Sequence, residues 1–153
     1  DSDLGGDVDD LKSTSGTIFF LGGSPVSWQS AKQKIVVLSS CEAEYVAAAG
    51  AVCQGIWLRQ LLGVLLGRVD DATKLCIDNK SAIALSKNPV FHDRSKHIEL
   101  RYHFIRQCVD DGSIDVQYVR TGDQLADVLT KALGRIHFQE MRDRVGIVRC
   151  KQT

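Results

Sequence analysis

Residues 39–51 read Ser39-Ser40-Cys41-Glu42-Ala43-Glu44-Tyr45-Val46-Ala47-Ala48-Ala49-Gly50-Ala51. Ser39 with Glu42 three positions on has the spacing of a capping box, which predicts a helix start here. Apolar residues recur at Val52, Ile56, Leu58, Leu61, Leu62 and Leu65, so the helix is expected to run over residues 39–66. One stripe of it is small (Ala47, Ala48, Ala51, Gly55), and small side chains let a helix lie close against a sheet. Glu44 falls on that stripe, an acid where a core-facing residue belongs. A first-turn glutamate favoured by the helix dipole would look the same.

Before this helix, residues 17–21 and 25–29 read as two strands joined by a hairpin turn at Gly22-Gly23-Ser24. Residues 1–4 fit the tail of an earlier strand. After the helix, Leu75-Cys76-Ile77 reads as a buried strand of a parallel type, a short apolar run feeding a helix. Helices follow over residues 80–86, capped by Asp78 or Asn79 and ended by Asn88-Pro89, and over residues 95–109. Residues 114–119 alternate as a strand. Thr121 with Gln124 repeats the capping-box spacing and predicts a helix over residues 121–133, stopped by Gly134. A last short helix is expected over residues 138–145. The order predicts an α/β domain with one mixed central sheet, an antiparallel meander first and parallel strands after it, flanked by helices.

The 153 residues suit one core, with 44% hydrophobic and 25% charged side chains. The apolar run over residues 56–67 is interrupted by Arg59 and Gln60 and is too short to span a bilayer, so no membrane partner is expected. The opening Asp1-Ser2-Asp3 lacks the pattern of a secretory leader. The five cysteines, Cys41, Cys53, Cys76, Cys108 and Cys150, form no Cys-x-x-Cys, which argues against disulfides and zinc and for a reducing intracellular setting. Net charge is zero but uneven: residues 1–11 hold five aspartates and no base, while residues 80–106 hold six bases against two acids. A basic surface near an acidic cluster suits a metal-dependent enzyme that handles phosphates, although a solvated charged face would read alike.

Hydrolysis of phosphodiesters by two metal ions needs several carboxylates converging from different elements. Besides Glu44, Asp78 stands directly after a strand, where sites of α/β proteins collect. It could equally cap the next helix. Asp127 falls among apolar residues in Leu125-Ala126-Asp127-Val128-Leu129, or pairs on the surface with Lys131 four residues on. Asp1 and Asp3 alternate on a strand and so could face one site. There is no Ser-His-Asp or Cys-His spacing and no Gly-rich phosphate loop; Gly5-Gly6 lacks a following Lys-Thr. Trp28 is expected to anchor the core.

Seven stretches carry a resemblance. They are Asp1-Ser2-Asp3-Leu4-Gly5-Gly6-Asp7, Lys12-Ser13-Thr14-Ser15-Gly16, Ser27-Trp28-Gln29-Ser30-Ala31-Lys32-Gln33, Leu38-Ser39-Ser40-Cys41-Glu42-Ala43-Glu44-Tyr45, Asp78-Asn79-Lys80-Ser81-Ala82, Lys96-His97-Ile98-Glu99-Leu100-Arg101-Tyr102-His103 and Ala126-Asp127-Val128-Leu129-Thr130-Lys131. In this order they resemble the ribonuclease H domain of copia-type (Pseudoviridae-like) LTR retrotransposon reverse transcriptase polyproteins. The resemblance implies a ribonuclease H-like fold over residues 1–135, its first strand cut short at the N-terminus, with a short helix and tail over residues 136–153. It implies four metal-binding catalytic carboxylates, Asp1, Glu44, Asp78 and Asp127, and two Mg²⁺ ions, with Mn²⁺ an expected substitute. The implied reaction is endonucleolytic cleavage of the RNA strand of an RNA–DNA hybrid. Asp1 would bridge the ions, and Glu44 would hold one of them and meet the ribose 2′-hydroxyl that tells RNA from DNA. Asn79, Lys80 and Arg101 are the candidate contacts to the hybrid; His97 and His103 fall on different faces of their helix. The implied setting is a cytoplasmic virus-like particle, or the nucleus, with a reverse transcriptase domain upstream in the same polyprotein. The alternative is a truncated or domesticated, non-catalytic copy that binds nucleic acid or a protein partner. A third reading is an integrase-like or resolvase-like nuclease with a DNA substrate.

Overall fold

A computed structural model describes residues 1–67, 71–87 and 96–148, with only the backbone for residues 87 and 96–98. Strands β1 (Thr14–Leu21) and β2 (Ser24–Lys32) lead into helix α1 (Ser40–Leu66). Strand β3 (Thr73–Ile77), helices α2 (Lys80–Lys87) and α3 (Lys96–Asp110) and strand β4 (Ile114–Tyr118) follow, then two 3₁₀ turns, Thr121–Asp123 and Leu125–Leu129, and helix α4 (Arg135–Val145). The stop expected at Asn88-Pro89 and the start at Ser95 lie outside the described residues.

Helix α1 begins as its sequence predicts. Ser39 is the N-cap, and its hydroxyl accepts the Glu42 N–H at 3.2 Å. The Glu42 carboxylate reaches back to the Leu38 N–H at 2.8 Å, one residue beyond the usual partner. Gly67, at φ 78°, closes the helix in the left-handed region. The small stripe is buried where it meets both strand pairs: a Cβ on Gly55 would lie 3.3 Å from Phe19 of β1 and 3.3 Å from Thr73 of β3. The core gathers Tyr45, Ala48, Ala49 and Val52 of α1 with Ile77, Ala82, Ile105, Cys108, Ile114 and Val116. By length and composition α1 could also cross a bilayer, which the shorter run over residues 56–67 did not suggest. Its first half, however, carries Glu42 and Glu44 and supplies much of the protein core.

The strands pair as expected in kind but not as one sheet. β1 and β2 are antiparallel, turned through Gly22 and Gly23 at φ 58° and 82°, values that glycine adopts without strain. β3 and β4 are parallel, Thr73 facing Ile114 and Ile77 facing Tyr118. Among the described residues these are two separate two-stranded sheets. The chain beside β1 contributes a single bridge, Ser2 to Ser15. It then turns away, with Gly5 and Leu11 at positive φ and the Asp7 carboxylate accepting the N–H groups of Asp9 and Asp10. Helix α1 packs on both sheets.

Four further expectations need correction. β3 is buried on one face only, since Lys74 and Cys76 are exposed. A short parallel pair covered by helices on one side leaves the other side wet. The helix expected over residues 121–133 is instead two 3₁₀ turns, because Gln124 is extended at φ −74° and ψ 100° and Thr121 makes no side-chain cap. Gly134 therefore stops nothing and stands at the N-cap of α4, which starts three residues earlier than expected. Trp28 is 66% exposed on β2 rather than a core anchor, paired across the strand with Ile18.

Candidate metal centre

Asp78 is placed by the end of β3. Asn79 caps α2, its Oδ1 accepting the N–H groups of Ser81 at 3.0 Å and Ala82 at 3.1 Å. The neighbouring Asp78 carboxylate thus has no capping duty. Asp127 sits in the second 3₁₀ turn and is buried. That turn is braced by Gln124, whose side-chain amide donates to the Cys76 carbonyl of β3 at 3.3 Å and whose oxygen accepts the Ala126 N–H. Asp1 is held beside β1 by the Gly16 N–H, which donates to its carbonyl at 2.9 Å. The close approach of β1 to this turn requires Gly16, since a Cβ there would lie 2.6 Å from Thr130 and 2.9 Å from the Ala126 carbonyl.

These placements bring three carboxylates together. Oxygen atoms of Asp1, Asp78 and Asp127 all lie within 4.8 Å of one another. Oxygens that share one Mg²⁺ are at most about 4.2 Å apart, twice the metal–oxygen distance, so small side-chain rotations suffice. Hard carboxylate donors in this number suit Mg²⁺ or Mn²⁺, and the residues present fit such an ion.

Glu44 is adjacent but outside that group. Its Oε1 accepts the Ser2 N–H at 2.7 Å. Burial pushes its carboxyl above the ordinary range, against the opposing pull of the Ser2 N–H and Lys131. Asp3 is excluded: it exchanges backbone and side-chain hydrogen bonds with Thr14 and stays out of the cluster.

Three residues at the site escaped sequence reading. Lys131 was legible only as a surface partner of Asp127, yet its Nζ lies 3.0 Å from Asp127 Oδ1 and 3.0 Å from Asp1 Oδ1. Thr130 donates its hydroxyl to the other oxygen of Asp1. Gln33, buried, donates from Nε2 to Ser2 Oγ, Ser15 Oγ and the Ala43 carbonyl, fastening the chain around Ser2 to β1 and α1. Among the proposed substrate contacts, Lys80 is exposed with its ammonium 4.9 Å over the Tyr118 ring. Arg101 lies on α3. On the outer side of α3, His103 lines an open groove with Arg106, Gln107, Asp110 and Asp111. The side chain of His97 lies outside the described residues.

Over 149 residues, 97% of its length, the chain is 46% identical to a retrovirus-related Pol polyprotein from transposon RE2 of Arabidopsis thaliana. It is 47% identical, over the same share, to the corresponding polyprotein from transposon RE1 of that plant. Over 147 residues it is 44% identical to a retrovirus-related Pol polyprotein from transposon TNT 1-94 of Nicotiana tabacum. The chain spans about a tenth of the length of these relatives. No protein-family model and no solved structure matches it. Along nearly all of its length, then, the chain is similar to one segment of the retrovirus-related Pol polyproteins of plant transposons.

Proposed function

We propose that the chain is a ribonuclease H domain of a copia-type retrotransposon polyprotein, cutting the RNA strand of RNA–DNA hybrids with two Mg²⁺ ions. The observation that carries this reading is the convergence of Asp1, Asp78 and Asp127 from three distant parts of the sequence. It occurs in a chain whose relatives are Pol polyproteins. Bound divalent ions would supply an activated water and stabilisation of the leaving 3′-oxygen. Asp1, Asp78 and Asp127 would hold the ions. Glu44 would complete the set, holding one ion and meeting the ribose 2′-hydroxyl. Asn79, Lys80 and Arg101 hold the hybrid's backbone. The reading also places a reverse transcriptase domain in the same polyprotein and the reaction inside an intracellular virus-like particle.

The test is direct. The purified chain, given a labelled RNA–DNA hybrid and Mg²⁺, should release RNA fragments, and Asp127→Asn should not. Absence of cleavage by the unaltered chain would overturn the reading. Because the Glu44 carboxylate is engaged by a backbone N–H outside the group of three, a second reading stands beside the first: a non-catalytic domain that binds the hybrid. Hybrid binding in a gel shift without cleavage at any Mg²⁺ concentration would favour it.

A further inference from the structure

Lys131 occupies an unusual place for a residue that a helical spacing would leave on the surface. Its ammonium is 3.0 Å from an oxygen of Asp1 and 3.0 Å from an oxygen of Asp127. Both carboxylates are out of solvent, with side-chain exposures of 0% and 5%. Two buried like charges this close would repel strongly without a cation between them. The Lys131 N–H also donates to the Asp127 carbonyl at 2.9 Å, so the acid and the base are tied within one turn of backbone. The side chain itself is 33% exposed, so unlike the two acids it meets solvent.

We infer that Lys131 is a displaceable internal cation: it holds Asp1 and Asp127 together while divalent metal is scarce, and metal loading expels its ammonium from between them. The inference rests on the metal-centre reading above and adds to it a residue that opposes metal binding. The physical reason is exclusion. A Mg²⁺ or Mn²⁺ ion held by Asp1 and Asp127 would draw on the carboxylates that the ammonium now engages. The two cations compete for them, so the observed metal affinity is the difference between two binding events. Lys131 is thus a positioning residue that sets the metal threshold of the site and takes no part in bond breaking.

The experiment is a calorimetric titration of the 153-residue chain with Mn²⁺, alongside Lys131→Met, Lys131→Gln and Asp127→Asn. Both Lys131 variants should bind Mn²⁺ about tenfold more tightly than the unaltered chain, within the usual range of coupling between two binding events. A second measurement needs no variant. Acylation of Lys131 by an amine-reactive ester, followed by mass spectrometry, should speed up several-fold on saturation with Mn²⁺, while the exposed Lys34 serves as the unchanged reference. A lysine that only braces the fold would give weaker metal binding on substitution and no change in labelling, and either result would overturn the inference. Asp127→Asn separates the two failures. If that variant loses Mn²⁺ binding while the Lys131 variants behave as the unaltered chain, only the role of Lys131 falls. If it keeps full affinity, the acid cluster is not the metal centre and the proposed function falls with it.

Discussion

Glu44 and Gln33 are both buried polar side chains, and both hold the chain around Ser2. Glu44 accepts one backbone N–H, and Glu44→Gln keeps its shape and an oxygen for that bond while removing the charge. The variant should lose hybrid cleavage by more than about a hundredfold, with its thermal midpoint close to that of the unaltered chain. Wild-type rates would sink the assignment. Gln33→Leu removes the donor that three buried or half-buried acceptors share. It should cost about 1–3 kcal/mol, the usual price of stranding buried polar groups, read from urea unfolding. The two residues differ in how visible they were. An acid on a stripe of alanines contradicts its surroundings and so announces itself. Gln33 ends one of the stretches that carry the resemblance, but no spacing reveals its role, since that comes from Ser2, Ser15 and Ala43, none of them at a regular spacing from it. Lys131 was seen and misplaced for a similar reason: the pair with Asp127 is local, but the bond to Asp1 is not.

At the scale of elements, local rules worked where they were not overridden. The capping signature of α1 and the glycine turn of the hairpin both act within a few residues, and both appear where the sequence puts them. The segment after β4 failed because the capping-box spacing at Thr121 and Gln124 is only a spacing. The Gln124 side chain instead bonds to β3, and this tertiary contact holds its backbone extended. Trp28 failed because burial depends on whether another element covers the strand, which alternation along the strand cannot tell. Asp1, Asp78 and Asp127 could be nominated one by one, but their meeting depends on how closely β1 approaches the turn Leu125–Leu129. Gly16 controls that distance. Gly16→Ala would drive a methyl group into Thr130 and the Ala126 carbonyl, so the turn must retreat. Mn²⁺ affinity should fall several-fold in this variant while the helical circular dichroism stays unchanged. Full affinity would mean that the turn tolerates the methyl group.

For the whole molecule, the packing of α1 on α3 brings Tyr45 and Tyr102 together, with ring centroids 4.1 Å apart. Burial pushes the Tyr102 phenol up to about 12 and that of Tyr45 higher still. In the unfolded chain both ionise near the ordinary value of about 10. The folded state therefore keeps its phenolic protons where the unfolded state has lost them. Stability is full below about pH 10 and declines as pH rises toward 12. The urea midpoint should drop over that interval, and the 295 nm absorbance of native protein should show phenols ionising late. A midpoint independent of pH would contradict the burial of this pair.

The bonds that Asp1 receives from Thr130 and Lys131 span 129 and 130 residues of a 153-residue chain. The hairpin, α1 and α2 can all form from near neighbours, whereas these bonds wait until Asp1 and the turn Leu125–Leu129 have been brought together. Loop closure of that length is slow compared with helix growth. The acid cluster thus marks the docking of that turn beside β1. A nascent or half-folded chain has its aspartates scattered and offers a divalent ion no shared seat. Whatever chemistry the site performs is withheld until Asp1 and the turn that carries Asp127 have found each other.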